Sequence, residues 1–521
     1  MNTTKRLLCL LLVLVMLVCA FAGCTEKPND NDPKDTDETT GNDDDTKGDD
    51  DESDGDDISD ETTDPRKADT LLPSYSFGEG VQEFVILSRR STTYEFEASS
   101  EGKLSGVEQA VYDRNSAVEE RCNVDIVVSP LDGDWGHLES FTAALRENNN
   151  LPVSQYDLVG THSAYLATAV LEGYSWDFNQ LPNIDLTKIW WSEYYYNENN
   201  YNGAIYLMFG DLAHTLYEYL EVMFFNEQLA EDLGIDVEGL YNLALDGDWT
   251  LDKLITYSAL VTPNEDAPDE DRKYGFMTNA HSHRSFLTSL GVDLAPFNAE
   301  GKHEFPKKLS AAQSEPLQAF ANFVTANPNV RNRCGTDTGA GELDPIFSEG
   351  RALFYSQTLD SATYLKANMK QKYGVLPFPK YNDLQKNYVT GIRDTATGVM
   401  VPYHCKNDEM SGTVTEMLSM YGYTEVFDAY FEERVKYQSF DNPLCVQSLE
   451  LIRTTFAPSF VMTFSHYMNF ANSSFSGALG QSETNGVPLD MGTTISANLG
   501  TYRRLCRDLY LALDKIAEKR G

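Results

Sequence analysis

Between residues 83 and 171, short apolar segments alternate three times with longer segments of helical spacing. Short apolar strands that are each followed by a helix are typical of a parallel sheet with helices on both faces. The sequence therefore predicts an α/β fold, in which ligands bind beyond the carboxyl ends of the strands. The predicted strands are Glu83–Ser88, Val124–Val128 and Tyr156–Gly160, and the predicted helices are Val107–Arg121, His137–Arg146 and His162–Leu171.

The folded part is too long for a single hydrophobic core. Residues 71–521 exceed the size at which one core stops growing, so two lobes or domains are expected. Asn226 is the predicted N-cap of a helix, as is Thr250, and the last third of the chain is predicted to be mainly helical. Further strands are predicted at Val222–Phe225, Ala352–Tyr355, Tyr373–Leu376 and Gly398–Val401, and further helices at Glu227–Leu233, Thr250–Leu260 and Glu315–Ala326.

The N-terminus has the pattern of an export signal. Lys5 and Arg6 precede Leu7–Ala22, a run of 16 apolar residues that is shorter than the roughly 20 residues of a membrane-spanning helix. Small residues before Cys24 resemble the lipobox of bacterial lipoproteins, in which the cysteine receives a diacylglycerol. We therefore expect residues 1–23 to be a signal peptide and Cys24 to anchor an exported protein to the outer face of the cell membrane. Ordinary secretory cleavage near Ala22 is the alternative.

An acidic linker follows the predicted lipidation site. Residues 25–70 contain 20 Asp or Glu against 5 Lys or Arg, and almost no large apolar side chain. Such a segment cannot bury enough apolar surface to offset the entropy of ordering it. We therefore expect residues 24–70 to be a disordered tether that holds a folded domain away from the membrane.

The charge and the cysteines of the folded part exclude several classes of function. Residues 71–521 carry a net charge of −28, and no basic surface for nucleic acid or anionic lipid is expected. Five cysteines are left without a C-x-x-C pair, so neither a zinc ribbon nor a redox motif is encoded. One disulfide and free thiols both remain open. His281 and His283 have no third ligand at a suitable spacing, so we expect neither a metal nor another cofactor.

Six segments, in the expected order from about residue 80 onwards, resemble family-1 extracellular solute-binding proteins. These are the substrate-receiving subunits of ABC importers, most often for sugars or oligosaccharides. Each segment alone is a weak signal, and the resemblance depends on their number and order. The segments are Ala110–Asn115, Leu181-Pro182 with Trp190-Trp191, Phe225–Leu229, Gly247–Leu254, Phe347–Phe354, and Gly374–Lys380 with Gln385 and Tyr388.

The resemblance implies a two-lobed, periplasmic-binding-protein-like fold of class II, with a hinge and an interlobe cleft. It implies that lobe one comprises about residues 80–220 and 390–430, and lobe two about 221–389 and 431–521. In the family the chain crosses between lobes near the position of Asn226; Glu227 stands where the family usually has Lys. A small solute, most often a sugar or oligosaccharide, and the permease of an ABC importer are the implied partners, and we expect a monomer.

A sugar site needs flat apolar faces for the sugar rings and oriented polar groups for every hydroxyl that loses water. Aromatic residues supply the first, and Asp, Asn, Arg and Gln supply the second. Aromatic and polar residues of these kinds occur near the strand ends that coincide with the cleft of the family. The candidates are Arg89, Arg90 and Tyr94 after the first strand, His162 and Ser163 after the third, Trp190, Trp191, Asp211, Tyr217 and Tyr219 before the crossing, and Gln357, Asp360, Arg393 and Asp394 beyond it.

These candidates also have purely structural explanations, which the sequence leaves open. Trp190 and Trp191 would equally suit core packing, and Asp211 a turn in which it bonds its own backbone. Ser163 would suit a plain N-cap, and Arg393 with Asp394 a buried ion pair. The loop that contains Arg89 would suit solvent exposure.

The sequence favours binding without chemistry, so no catalytic residue is predicted. No G-x-S-x-G, H-E-x-x-H, Walker or G-x-G-x-x-G pattern is present. A secreted carbohydrate-active enzyme stays as an alternative, because two catalytic carboxylates can lie far apart along the chain. A receptor that presents its ligand to a membrane sensor is a third hypothesis, since it would differ only in the partner.

Overall fold

The computed structural model describes residues 73–98, 104, 106–334, 342–431 and 442–520. All of them belong to the second of the chain's two units, Thr63–Gly521. The signal segment, Cys24 and the acidic linker up to residue 70 lie outside the described residues, so the expectations about them stay predictions. None of the described helices combines the length and the apolarity that crossing a bilayer would need.

Nine strands form two sheets within the described residues. The first sheet has the order β2-β1-β3-β9, and the second has the order β6-β5-β7-β4-β8. In both sheets the buried strands are rich in Val, Ile, Phe and Met, as strands covered on both faces should be. The strands are β1 Gln82–Arg89, β2 Val124–Leu131, β3 Leu158–His162, β4 Glu221–Asn226, β5 Tyr274–Asn279, β6 Val330–Arg333, β7 Ala352–Thr358, β8 Tyr373–Leu376 and β9 Thr397–Met400.

Seventeen α-helices surround these sheets within the described part of the chain. In chain order they are α1 Val107–Cys122, α2 Leu138–Asn149, α3 Ser163–Leu171, α4 Glu193–Asn199, α5 Thr215–Glu218, α6 Glu227–Asp232, α7 Val237–Leu245, α8 Leu251–Ser258 and α9 Ala280–Ser289. They continue with α10 Ala311–Val324, α11 Asp344–Ser348, α12 Ser361–Asn368, α13 Asp408–Tyr421, α14 Pro443–Thr454, α15 Phe460–Thr463, α16 Ser474–Asn485 and α17 Met491–Arg520.

The first sheet follows the predicted α/β pattern. β1 runs parallel to β2 and to β3, with Ile86 between Val128 and Leu158. β9 arrives from a distant part of the chain and pairs antiparallel with β3. Helix α1 covers the sheet with its buried residues, including Val111 and Val118, and α13 packs on α1. The carboxyl ends of β1, β2 and β3 therefore lie at one edge of the sheet.

The second sheet is mixed rather than parallel. β5 runs parallel to β6 and β7, whereas β4 runs antiparallel to both of its neighbours, β7 and β8. The predicted parallel pairing is therefore present in β1, β2 and β3, and the second sheet adds a parallel group of β5, β6 and β7. β4 is buried along its whole length, and side chains such as Phe224 and Phe225 pack against Tyr355 and Phe354 from β7.

The last helix contacts structure around both sheets. α17 packs on α10 and α16 beside the second sheet and on α3 beside the first. At its end Arg520 donates hydrogen bonds to the carbonyl oxygens of Ser175 and Gly173, at 2.5 and 2.7 Å. Among the described residues the cysteines form no disulfide, so of the two options left open by the sequence the structure has free thiols at Cys122, Cys334, Cys405, Cys445 and Cys506.

Candidate functional site

Three short chain segments run side by side between the two sheets. Residues 219–221 lead into β4, residues 390–393 lead from β8 to β9, and residues 455–457 follow α14. The amide of Glu221 donates to the oxygen of Gly391 at 3.0 Å, and the amide of Thr390 donates to the oxygen of Thr455 at 2.8 Å. We call these three segments the crossover ribbon. The chain enters the second sheet at Glu221, where the expected lobe two begins, and Asn226 at the end of β4 caps α6 by accepting from the amide of Leu229. The crossing between lobes near Asn226 stays a prediction.

A cavity lies against the crossover ribbon. It contains about 490 Å³ of empty space, part of which is open to solvent. Helix α9 forms one wall, the ribbon forms the floor, and the segment from Ala457 to Asn472 forms the other wall. The polar side chains of its lining are His281, Arg284, Ser285, Thr288, Arg393, Asp394, Ser459 and Asn472.

The arginines of this cavity are paired with oxygen acceptors. Arg393 donates to a carboxylate oxygen of Glu221 at 3.3 Å and to the side-chain oxygen of Gln357. Burial lowers the pKa of Arg393, but Glu221 and Asp360 outweigh burial and the pKa is raised overall. Glu221 also accepts from the hydroxyl of Ser282 on α9, at 2.8 Å. This side of the cavity therefore holds a fixed array of donors and acceptors.

Asp394 joins the remaining sides of the site. Its carboxylate lies 3.5 Å from a guanidinium nitrogen of Arg284 and accepts from the amide of Asn472 at 3.4 Å. Its backbone oxygen accepts from the hydroxyl of Ser163 at 3.4 Å. Asp394 thus connects α3 beside the first sheet, α9 beside the second and the segment that contains Asn472.

Beyond Asp394, the site is bordered by the edge of the first sheet. Arg89 ends β1 and His162 ends β3, and their side chains contact each other in the buried space between them. The pKa of His162 is lowered well below its usual value by burial and by Arg89, more than the backbone groups of Asp394 and Gly133 raise it. His162 is therefore neutral at physiological pH and accepts a hydrogen bond from Arg89.

Two exposed aromatic rings lie beside this polar array. Trp135 follows β2 with 42% of its surface exposed, and Phe470 is 38% exposed. Their ring centroids are 5.9 Å apart, and Trp135 also approaches the ring of His162 at 6.3 Å. Phe470 has a φ of 57°, in the left-handed region that side chains other than glycine rarely adopt. The backbone holds this ring outward at a conformational cost.

The structure brings most of the predicted site residues to this region. Tyr94 donates to the carboxylate of Glu218 at 2.7 Å, and the amide of Asp360 donates to the oxygen of Glu218 at 2.9 Å. Tyr219 contributes its backbone oxygen to the amide of Arg393 at 3.2 Å. The predicted residues at or next to the cavity and the ribbon are Arg89, Tyr94, His162, Ser163, Tyr219, Gln357, Asp360, Arg393 and Asp394.

Ser163 and Arg90 have structural surroundings that the sequence left open. Ser163 is the first residue of α3 rather than its N-cap, which is His162. Arg90 pairs with Asp132 at 2.6 Å, and both side chains are 60% exposed. We leave Arg90 out of the proposed site.

Four predicted residues lie elsewhere. Trp190 and Trp191 each donate an indole N–H to the carboxylate of Glu416 on α13, both at 2.9 Å. Asp211 is buried beside this group, with a pKa raised well above its usual value by burial. Tyr217 is buried against Phe427. We leave these four residues out of the proposed site as well.

Several site residues were missed in the sequence. Trp135 lies in the loop after the second strand, where ligands were expected, and the Gly133–Gly136 sequence around it was the available signal. Arg284 follows β5 in the same way, but the two neighbouring histidines suggested only a metal site. Phe470 and Asn472 had no signal, because they lie far from any strand end.

The comparisons with known proteins identify the architecture. The sequence matches no protein-family model and no curated protein. Solved structures match at probability 1.00, and three of them are an ABC substrate-binding protein from Listeria monocytogenes in complex with cycloalternan, the GacH receptor of Streptomyces glaucescens with acarbose, and a cyclic alpha-maltosyl-1,6-maltose binding protein from Arthrobacter globiformis. The chain has the fold of ABC solute-binding proteins.

The likeness in fold extends over nearly the whole of each neighbour. The Listeria protein is 12% identical with a TM-score of 0.52, over 81% of this chain and 98% of that one. The Streptomyces receptor is 14% identical with a TM-score of 0.53, over 82% and 99%. The Arthrobacter protein is 11% identical with a TM-score of 0.54, over 82% and 99%. The two-lobed solute-binding-protein fold expected from the sequence is therefore confirmed.

Proposed function

We propose that this chain is an extracellular solute-binding lipoprotein of an ABC importer, and that it captures a sugar or oligosaccharide at the crossover ribbon. The observation that carries the proposal is the cavity beside Asp394, which is lined by α9 next to the second sheet, by the crossover ribbon and by the C-terminal segment from Ala457 to Asn472. The solute-binding-protein fold supports it, since the neighbours are named as sugar-binding proteins or were solved with carbohydrate ligands.

The chemistry of the cavity suits a hydroxyl-rich ligand. Each sugar hydroxyl both donates and accepts, so it is satisfied best between a cation and a carboxylate that already face each other. Arg284 with Asp394, and Arg393 with Glu221, are two such pairs. Trp135 and Phe470 offer apolar faces on which the C–H-rich side of a sugar ring can stack.

Capture in this proposal works by closure of two lobes. Lobe one comprises about residues 80–220 and 390–430, and lobe two about 221–389 and 431–521, with the crossover ribbon as the hinge. Few chain segments cross between the sheets there, so a small change in backbone dihedral angles can turn one lobe against the other. The ligand drives closure by binding more tightly to the closed state than to the open one.

Export, lipid anchoring through Cys24 and delivery to a permease belong to the same proposal. Binding leaves the ligand's bonds unchanged, so the protein is not an enzyme in this proposal. Replacing Cys24 by Ser should abolish incorporation of labelled fatty acid and release the protein from the membrane fraction. Retention of the label by that variant would contradict the lipid anchor.

A thermal-shift screen tests the binding function. The panel contains neutral di- to pentasaccharides and, for each backbone, the matching oligosaccharide of uronic acids. At a ligand concentration of about 100 Kd, a binder stabilises the folded state by about 2.7 kcal/mol, which should raise Tm by several degrees. No stabilising sugar in the whole panel would overturn the proposal. Chromatography of the bound sugar checks the chemistry, because cleavage products would indicate a carbohydrate-active enzyme instead.

A further inference from the structure

Arg89 is a buried cation without a carboxylate partner. It is 3% exposed, and among the described residues its side chain hydrogen-bonds the hydroxyl of Thr92 and the ring of His162. No carboxylate of the described residues lies within salt-bridge distance of it, and its Nη2 atom has no hydrogen-bond partner. Isolated buried charges are costly, so a guanidinium in this state is unusual in a folded protein.

The surroundings of Arg89 do not neutralise it. His162 is held neutral by burial and by Arg89 itself, so it supplies no negative charge. Glu95 interacts electrostatically with Arg89, but its carboxylate already accepts from the amide of Thr215 and the hydroxyl of Thr397. The nine-residue helix α3 begins immediately after His162, and a helix N-terminus adds partial positive charge.

The other two arginines of the site are paired with carboxylates. Arg284 pairs with Asp394 and Arg393 pairs with Glu221, so of these three arginines Arg89 is the one left without a carboxylate partner among the described residues. A site for a neutral sugar needs donors and acceptors in balance and gains nothing from a buried unpaired cation. A ligand that brings its own negative charge would complete the arrangement.

We propose that the natural ligand is an acidic oligosaccharide, with a carboxylate of a uronic acid accepting a hydrogen bond from Nη2 of Arg89. This inference rests on the proposed binding function and narrows its substrate class. Gly133, in the loop Gly133–Gly136 after β2, packs against the stem of Arg89, because a Cβ atom added there would lie only 3.3 Å from Cγ of Arg89. The carboxylate therefore enters when this loop moves, and glycine at both of its ends allows the movement.

Matched pairs from the sugar panel test the inference by calorimetry. Each pair is one trisaccharide backbone in neutral and uronate form: galactotriose with trigalacturonate, mannotriose with trimannuronate, and cellotriose with the corresponding triglucuronate. For the backbone that binds, we expect the uronate to bind about tenfold more tightly or better, because it pairs a buried charge. Equal or tighter binding of the neutral form would overturn the inference and leave the proposed function intact. Absence of binding by every member of the panel would overturn both.

Variants at position 89 test whether Arg89 causes the preference for the uronate over the neutral sugar. Arg89→Gln should reduce the uronate preference to about twofold or less, whereas Arg89→Lys, which keeps the charge, should retain a clear part of it. Arg503→Gln is the matched control, since it removes a partly exposed arginine charge on α17 and should leave the preference unchanged. Full preference in Arg89→Gln would contradict the assignment. If Arg89→Gln does not fold, the difference between uronate and neutral sugar binding to the wild-type protein still tests the inference.

Discussion

Trp135 and Phe470 are large aromatic side chains that stay outside the hydrophobic core. The chain has 5 Trp and 26 Phe, and most of the described ones are buried. These two remain about two-fifths exposed, in contact with each other and beside the cavity. Phe470 keeps this position with a left-handed backbone, which folding alone would not favour. Their exposure is better explained by a ligand than by stability.

Replacing Trp135 by Ala should weaken sugar binding without destabilising the protein. Loss of one stacking face should cost about 1–2 kcal/mol, which raises Kd roughly 5- to 30-fold. Because the ring is already 42% exposed, Tm should fall by no more than about 2 °C. Calorimetry and thermal unfolding measure the two effects. Tyr112→Ala, which removes a 47% exposed ring on α1, is the control and should change neither. Unchanged affinity in Trp135→Ala would remove this ring from the site.

The sequence could predict site residues only where they follow strands. Arg89 and His162 end strands, and Arg393 and Asp394 precede one, so their position at an edge of the first sheet was foreseeable. Trp190 and Trp191 were chosen because aromatic rings suit sugars. Nothing local in the sequence shows that both indoles bond Glu416, a residue more than 220 positions away. The direction of a side chain depends on such distant partners.

At the scale of elements, the close approach of α9 to the crossover ribbon depends on a glycine. A Cβ atom on Gly391 would lie 2.5 Å from Cβ of Ser285. Both residues line the cavity, so a shift of α9 would also alter the site. The glycine is needed here for space, since its backbone does not have a positive φ.

Gly391→Ala should therefore destabilise the protein by about 1–3 kcal/mol through overpacking and reduce sugar affinity. Adding Ser285→Gly removes the clashing atoms and should restore affinity, although glycine inside α9 costs about 1 kcal/mol of its own. Urea unfolding and calorimetry on the two single variants and the double variant give the coupling. Additive losses in the double variant would show that the two residues do not compete for space.

Arg520 contacts the first-sheet side at the end of α17. Arg520 donates to the oxygens of Gly173 and Ser175, and its guanidinium lies 4.0 Å from the ring centroid of Tyr403. We expect Arg520→Ala to lower the free energy of unfolding by about 1–3 kcal/mol, since two carbonyl acceptors and a cation–π contact are lost. Lys519→Ala, next to it and exposed, should change stability by less than about 0.5 kcal/mol. Equal effects of the two variants would contradict a specific role for Arg520.

The positions of strands and helices along the chain were predicted better than the order and direction of the strands in the sheets. The predicted strands overlap β1, β2, β3, β4, β7, β8 and β9, because short apolar runs between turn residues are a local signal. Helix α10 was placed to start at Glu315, although it begins after Ser310, whose capping box with Gln313 is readable in the sequence. The antiparallel insertion of β4 between β7 and β8 was not predictable, since strand order is decided by contacts between distant segments.

For the whole molecule, the buried acids and the buried histidine change stability in opposite directions as pH changes. Burial raises the pKa of Glu416 to about 7 and those of Asp157 and Asp344 to about 6. Burial also lowers the pKa of His283 to about 3. In the unfolded chain carboxylates titrate near pH 4 and histidines near pH 6.5. The folded state thus binds protons on the acids more tightly, and on the histidine less tightly, than the unfolded state.

These signs predict that the three acids lose their stabilising effect as pH rises from about 4 to 7, whereas His283 adds stability over the lower part of that range. As pH rises through 7, Glu416 loses its proton in the folded state, and the stability that this bound proton contributes is lost. As pH falls below 6.5, the unfolded state gains protons on histidines that the folded state keeps neutral, and this loss of stability opposes the gain from the three acids. Urea unfolding from pH 5 to pH 8 measures the profile. Glu416→Gln should remove the fall in stability that this group causes between about pH 4 and 7, including about 1 kcal/mol between pH 6 and pH 8. Repeating the series in 0.5 M salt separates this effect from repulsion within the acidic domain, because salt screens exposed charges far more than a buried one. An unchanged alkaline slope in Glu416→Gln would assign the loss to surface repulsion instead.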